Sequence, residues 1–161
     1  MSINDQPHRT DGFRLEEFLP YRVAIVKEQI GRAFAEIYES QFDLTISEWR
    51  LLAVVAESGT LSPTAAGSRT SMDKVKVSRA AQSLIAKGLL RQTQDPNDGR
   101  GRLLRLTRKG TTTYAGMVPL AVGLEADLFG DLSRAERATL DRVLSKLATR
   151  LETIGQDATE S

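Results

Sequence analysis

The stretch whose reading decides the fold is Ser71–Leu90, SMDKVKVSRAAQSLIAKGLL, together with the residues after it, DPNDGRGR (95–102) and LLRLT (103–107). At 3.6 residues per turn, Val77, Ala80, Ala81 and Leu84 gather on one flank of a helix. Val75, Arg79, Gln82 and Ala86 gather on the other, within about 60° of one another. Pro96, Asn97, Asp98 and Gly99 are turn formers, each by its own mechanism, and two short apolar runs flank them. A helix followed by a β-hairpin is the outline of a winged helix. Its outer flank of small, β-branched and basic groups suits a DNA groove.

Charge supports this placement. From Arg69 to Lys109 there are eleven Lys or Arg against three Asp, a net charge of +8, whereas the whole chain carries only +1. The remainder is therefore −7. This polarity concentrates positive charge where phosphates would lie, and it displaces counterions there.

Composition narrows the function classes further. A chain of 161 residues makes one compact domain, or one with long appendages. It holds no cysteine, which excludes disulfides and thiol chemistry. Its single histidine, His8, sits in a polar N-terminal tail, so a Cys/His metal site is not expected and no cofactor is predicted. No G-x-S-x-G or G-x-x-x-x-G-K-[ST] motif occurs, and an enzyme is not expected. No apolar run approaches the roughly 18 residues of a membrane span, and residues 1–10 lack a signal peptide's apolar stretch. The reading is a cytoplasmic protein with no membrane partner.

In chain order, residues 1–14 read as a mobile tail. A helix is predicted from Pro20, a favourable first position, to about Ser40, with Val23, Val26, Ile30, Phe34, Ile37 and Tyr38 as its stripe. Thr45 and Glu48 form a capping box for a helix from Ile46 to about Ala56, whose buried side is read as Trp49, Leu52, Ala53 and Ala56. Ser62 caps a short helix from Pro63 to Ser68. Arg69 and Thr70 are read as the turn, Ser71 as the cap of the next helix, and Gly88 as its stop. Thr107 caps a helix from Arg108 to Phe129 that contains Pro119, where a kink is expected. Ser133 and Glu136 open a last helix, with Leu140, Val143, Leu144, Leu147, Leu151 and Ile154 as its stripe, and Gly155 begins a polar tail. The terminal stripes are longer than one small winged helix covers, which points to a second copy of the chain. The predicted fold class is mainly α with a small β-hairpin wing (α+β). The predicted organisation is a tail at 1–14, a helical dimerisation region at 15–42 and 108–155, a DNA-binding lobe at 43–107, and a tail at 156–161.

Residues 15–153 resemble the MarR (multiple antibiotic resistance regulator) family of bacterial transcription factors. SMDKVKVSRAAQSLIAKGLL and DPNDGRGRLLRLTRKG carry the resemblance. It implies a homodimer in which terminal helices of both chains form the dimerisation domain and two winged lobes bind a pseudo-palindromic operator. It also implies a repressor released by a small aromatic or phenolic acid held between dimer domain and DNA lobe. In that family the wing carries an Asp-x-Arg element, here Asp98 and Arg100, whose arginine reaches the minor groove.

Roles follow for individual residues. Arg79 faces a guanine edge or a phosphate, since its fork matches guanine O6/N7. Lys74 and Lys76 are read as phosphate contacts, which position without specifying. Thr70 and Ser71 are candidate phosphate donors at the helix start. Val75 is placed against a thymine methyl, and Gln82 shares the exposed flank. Arg100 is assigned to the minor groove, with Asp98 holding it and Arg102 as a second wing candidate. Tyr21, Arg22, Phe34, Tyr38, Trp49 and Arg50 are the candidate effector-binding residues, because an arginine beside aromatics suits an aromatic carboxylate. Two alternatives stay open: a ligand-independent regulator and a protein-interaction winged helix. The +8 segment counts against the second, because such interfaces are depleted in lysine.

Overall fold

The computed structural model describes residues 12–157; residues 1–11, including His8, and residues 158–161 lie outside it. After one 3-10 turn at Leu15–Glu17 come helices α1 (Leu19–Phe42), α2 (Ile46–Ser58), α3 (Pro63–Thr70) and α4 (Lys74–Ala86). A hairpin of β1 (Leu90–Asp95) and β2 (Asp98–Leu106) follows, and then α5 (Arg108–Phe129) and α6 (Arg134–Asp157). The fold is mainly helical with one antiparallel two-stranded wing, as the sequence implies. No described helix is long and apolar enough to cross a membrane.

Local sequence sets the helix starts. The Thr45 hydroxyl accepts from the Glu48 N–H at 3.2 Å, and the Glu48 carboxylate accepts from the Thr45 N–H at 2.7 Å, a complete capping box. Ser62 and Thr107 accept from the N–H groups of Ala65 and Gly110, at 3.2 and 3.0 Å. Ser133 and Glu136 form a second reciprocal pair. The core sits where α2, α3, α4 and the wing meet. Leu51, Leu52 and Val55 of α2 are fully buried, alongside Ala66, Val77, Ala80, Ala81, Leu84, Leu90 and Leu104.

The structure corrects several expectations. On α2 the buried side is Glu48, Leu51, Leu52 and Val55, while Trp49, Ala53 and Ala56 are only half-buried. The sequence stripe points to a rotated face, because a nearly all-apolar helix gives its polar edge little contrast. Arg69 and Thr70 belong to α3 and are not a turn. Ser71 does not cap α4; it ends α3 in the left-handed conformation, φ 54°. Asp73 caps α4 instead, accepting from the Lys76 N–H at 2.8 Å. Helix α6 continues through Gly155 to Asp157, where a tail was expected. The wing also gains a partner no sequence pattern announces: Leu61 and Leu104 exchange backbone hydrogen bonds at 3.1 and 2.8 Å.

The described residues divide into two compact units, one ending at Ala115 and the other beginning at Gly116, so the division falls inside α5. The predicted organisation placed a boundary at Arg108. The first turns of α5 are tied to the lobe by Thr107, whose N–H donates to the Leu89 carbonyl at 3.0 Å and whose hydroxyl donates to that of Gly88 at 2.6 Å. Gly88 makes this corner possible with φ +72°. Gly110 completes it, since a Cβ there would lie 2.0 Å from the Leu89 oxygen. In the second unit Arg137 pairs with Glu125 at 3.3 Å and lies over the Phe129 ring, while Leu144, Leu147, Leu151 and Ile154 are exposed. Helix α1 buries only Tyr38, and Val23 and Val26 are 53% exposed.

Gly110→Ala is therefore expected to destabilise the protein by about 1–3 kcal/mol, because backbone must move to admit the methyl. Gly123→Ala, on the same helix with nothing within 4 Å, should instead stabilise by about 0.5–1 kcal/mol. Denaturant unfolding of both variants at one protein concentration checks the pair.

Candidate nucleic-acid interface

Helix α4 buries one flank and leaves the other wholly in solvent. Val77, Ala80, Ala81 and Leu84 are buried, while Lys74, Val75, Lys76, Arg79 and Gln82 are exposed. Val75 is 58% exposed on the flank opposite the helix's apolar face. The side chains of Lys74, Lys76 and Arg79 have no hydrogen-bond or ion-pair partner among the described residues. Lys74 and Gln82 share with Gln92 of β1 the rim of a cavity of about 390 Å³ floored by Met72, Val77 and Ala81. The outer flank of α4 thus adjoins the root of the wing.

The wing tip owes its form to a register break. Gln94 pairs with Arg102, yet the next residue, Asp95, pairs with Asp98, leaving Gly99, Arg100 and Gly101 without partners on β1. This bulge carries Arg100 outward. Asp98 was expected to hold a wing arginine in place. Its carboxylate accepts from the Arg100 backbone N–H at 3.0 Å, fixing the chain there and leaving the side chain exposed. Asp95 does the same for Asn97 at 2.9 Å, and the Gln94 amide donates to the Gly99 carbonyl at 2.7 Å. Gly101 fits because a Cβ there would crowd Asp95 and Asp98 at 3.0 and 3.3 Å. Arg102 is exposed beside the bulge.

Two of the predicted DNA-facing residues are revised. Thr70 is buried, and its hydroxyl donates to the Ala66 carbonyl at 2.6 Å, so it packs the turn and presents nothing outward. Ser71 is exposed as the α3 C-cap, but it offers no helix N-terminus. Of the eleven basic residues in the +8 segment, three are engaged internally. Arg69 pairs with Glu57 at 2.6 Å, Lys87 with Glu48 at 3.2 Å, and Lys109 donates to the Lys87 carbonyl at 2.8 Å.

The Glu48–Lys87 pair has no counterpart in the sequence reading, where Glu48 is a capping residue alone. Lys87 closes α4, and its ammonium reaches Glu48 and also the Asp43 carbonyl at the α1–α2 corner. Burial pushes the Glu48 carboxyl up. Hydrogen bonds from Ser83, the Thr45 N–H and Lys87, with the Lys87 charge, outweigh it and hold the group below its ordinary value.

The candidate effector residues lie on α1 and α2. Tyr21, Arg22 and Arg50 are exposed. Phe34, Tyr38 and Trp49 pack on one another as tilted rings, with centroids 5.6 and 4.9 Å apart, and Tyr114 of α5 stacks on Trp49 at 5.8 Å to continue the column. Tyr38 is fully buried, its hydroxyl has no partner among the described residues, and burial pushes its pKa up to about 12.

Comparison with known proteins follows the same lines. A family model described as MarR family matches residues 42–101. The multiple antibiotic resistance protein MarR of Escherichia coli (strain K12) is 30% identical over 127 residues, covering 78% of this chain and 87% of that protein. A crystal structure of a mutant E. coli MarR complexed with operator DNA superposes with TM-score 0.74 at 27% identity, over 80% of this chain and 92% of that one. Bordetella bronchiseptica BpsR, whose DNA binding is regulated by 6-hydroxynicotinic acid, superposes with TM-score 0.78 at 25% identity, over 84% of this chain and 96% of that one.

The lowered Glu48 pKa makes stability depend on acid. Its contribution is present in full above the unfolded value near 4.5 and is lost as pH falls through the lower folded value. Glu48→Gln should cost about 1–3 kcal/mol at neutral pH and progressively less toward pH 3. Unfolding free energies measured across that range should converge for the two proteins; a constant gap would refute the assignment.

Proposed function

The chain belongs to the MarR family of transcriptional regulators, and from that premise we propose that it is a homodimeric repressor of a pseudo-palindromic operator, released by a small aromatic or anionic effector. The observation that carries the reading is the outer flank of α4. It presents Lys74, Val75, Lys76, Arg79 and Gln82 together, and its cations have no partner among the described residues. Lysines without acidic partners suit phosphates, which set position, while a free arginine on the groove-facing flank suits a guanine edge. The bulged Arg100, with Arg102 beside it, suits a narrow minor groove, and Asp98 shapes the loop that presents it. Ser71 stays a candidate phosphate donor at the edge of this surface, and Thr70 is withdrawn.

Dimerisation rests on the exposed apolar stripes. Leu140, Val143, Leu144, Leu147, Leu151 and Ile154 of α6 are 37–66% exposed, an apolar strip of a kind that monomers rarely leave in water. Two-fold symmetry also suits two half-sites about one helical turn apart, roughly 34–36 Å. The effector reading is supported by the aromatic column, which includes the unpartnered Tyr38 hydroxyl, and by the heteroaromatic acid that regulates a relative. Tyr21, Arg22, Phe34, Trp49 and Arg50 are the side chains around that column or on its helices.

Operator affinity is expected to fall steeply with salt. Neutralising about six to eight phosphates per dimer gives a slope of log K on log salt of roughly −5 to −7, and a slope near zero in binding titrations would remove DNA from the account. Arg79→Ala should cost about 1–3 kcal/mol and flatten discrimination at one base pair of each half-site. Lys76→Ala should weaken all sequences alike and make the salt slope shallower by about one unit for each phosphate no longer neutralised. Titration against single-base operator variants separates the two roles.

A further inference from the structure

Asp98 is the one described aspartate that a glycine follows; the other Asp-Gly step of the sequence, Asp11–Gly12, has its aspartate outside the described residues. Asp98 and Gly99 are both exposed at the wing tip, and Gly99 has no register partner on β1. The geometry of this step sets up a reaction within the chain. Asp98 Oδ1 accepts from the Arg100 N–H at 3.0 Å, two residues ahead, which folds the carboxyl forward over the Gly99 peptide nitrogen. The approach between the two is open. Gly99 has no side chain, and beyond its chain neighbours a Cβ there would meet only the Gln94 amide nitrogen, at 3.9 Å. The register break also lets the tip shift without tearing a ladder. Asp95 supplies a comparison built into the same loop. Its carboxylate reaches forward in the same way, accepting from the Asn97 N–H at 2.9 Å, but the nitrogen it folds over belongs to Pro96 and carries no proton to lose.

We propose that Asp98–Gly99 is a self-modification site, at which Asp98 isomerises to isoaspartate and the change disarms the wing. The Gly99 nitrogen bonds to Asp98 Cγ and closes a succinimide ring. One carboxyl oxygen leaves as water, carrying the amide proton and one proton from solvent. Water then opens the ring. Cleavage between Cγ and the nitrogen restores aspartate, whereas cleavage between the Asp98 main-chain carbonyl carbon and the nitrogen gives isoaspartate. One water leaves and one enters, so the step needs no oxidant, reductant or cofactor. The product has the same mass, but its main chain runs through Cβ and Cγ and is one methylene longer. It also loses the Oδ1 acceptor that fixes the Arg100 N–H, so the bulge no longer aims Arg100. The disarming rests on the assignment of Arg100 to DNA given above; the isomerisation does not.

The full chain is held at physiological pH and temperature for days, and samples are digested with trypsin. Cleavage after Arg91 and Arg100 releases Gln92–Arg100 as one peptide, apart from the one that holds Asp11. Isoaspartate separates from aspartate by chromatography at unchanged mass, whereas deamidation of Asn97 changes the mass; electron-transfer fragmentation then assigns the position. Isoaspartate should build up at Asp98 and not at Asp95. Gly99→Ala, whose methyl fits the open space, should slow the build-up by roughly an order of magnitude, about 1.4 kcal/mol on the barrier. Operator affinity of the aged parent should fall as isoaspartate rises, while aged Gly99→Ala keeps the affinity it had when fresh. Aspartate alone at position 98 after long incubation overturns the site, as does equal build-up at Asp95 and Asp98. Isoaspartate at Asp98 with operator affinity unchanged overturns the disarming of the wing. A fresh parent that binds no operator overturns the DNA reading and the disarming together, and leaves the isomerisation standing on its peptide.

Discussion

The structure depends on one constraint: α4 must bury a narrow strip of small residues while keeping everything beside that strip in water. Val77, Ala80, Ala81 and Leu84 meet Leu51, Leu52 and Val55 of α2, and two alanines between the helices let them approach closely. A larger residue at Ala80 or Ala81 would lift α4 and tilt its outer flank. Every other device in the lobe fixes this helix. Asp73 sets where it begins, Lys87 anchors where it ends, and the Gly88–Gly110 corner returns the chain onto the lobe. The exposed flank is then held in place from beneath, so its side chains stay free for a partner.

The Glu48–Lys87 pair, buried at the carboxylate and half-buried at the ammonium, adds a second kind of order. Glu48 closes the α2 capping box, and the same carboxylate holds Lys87 at the far end of α4. One group thereby links the α1–α2 corner to the end of α4. The one carboxylate is held by Thr45, Ser83 and Lys87 together, which ties the start of α2 to the end of α4.

Much of this is legible from residues alone, and the failures have physical reasons. Capping at Thr45, Ser62, Thr107 and Ser133 is readable because a side-chain oxygen meets an N–H three residues later, a wholly local event. The buried flank of α4 is readable because its opposite side is strongly polar. The face of α2 is not, since ISEWRLLAVVAES is apolar nearly all round and only neighbours choose the side. Ser71 misleads because serine is a common cap, while the deciding fact is a left-handed φ that leaves the cap to Asp73. The Leu61–Leu104 bridge and the Glu48–Lys87 pair each join residues distant in the chain, which a one-dimensional pattern does not encode. Among the site residues, exposure separates Thr70 from its neighbours, and no sequence signal marks that difference.

The unpartnered bulge at Gly99–Gly101 has a consequence for how such a protein diversifies. Below the Gln94–Arg102 pair the hairpin is laddered, and an inserted or deleted residue there would turn the side chains beyond it to the opposite face. Above that pair the register holds only Asp95 opposite Asp98, and the tip keeps its shape through hydrogen bonds within the loop. Insertions and deletions confined to the tip change how far the loop projects and leave the lobe's core untouched. Wing length can thus change without disturbing the scaffold beneath it, provided the tip rebuilds its own short-range hydrogen bonds.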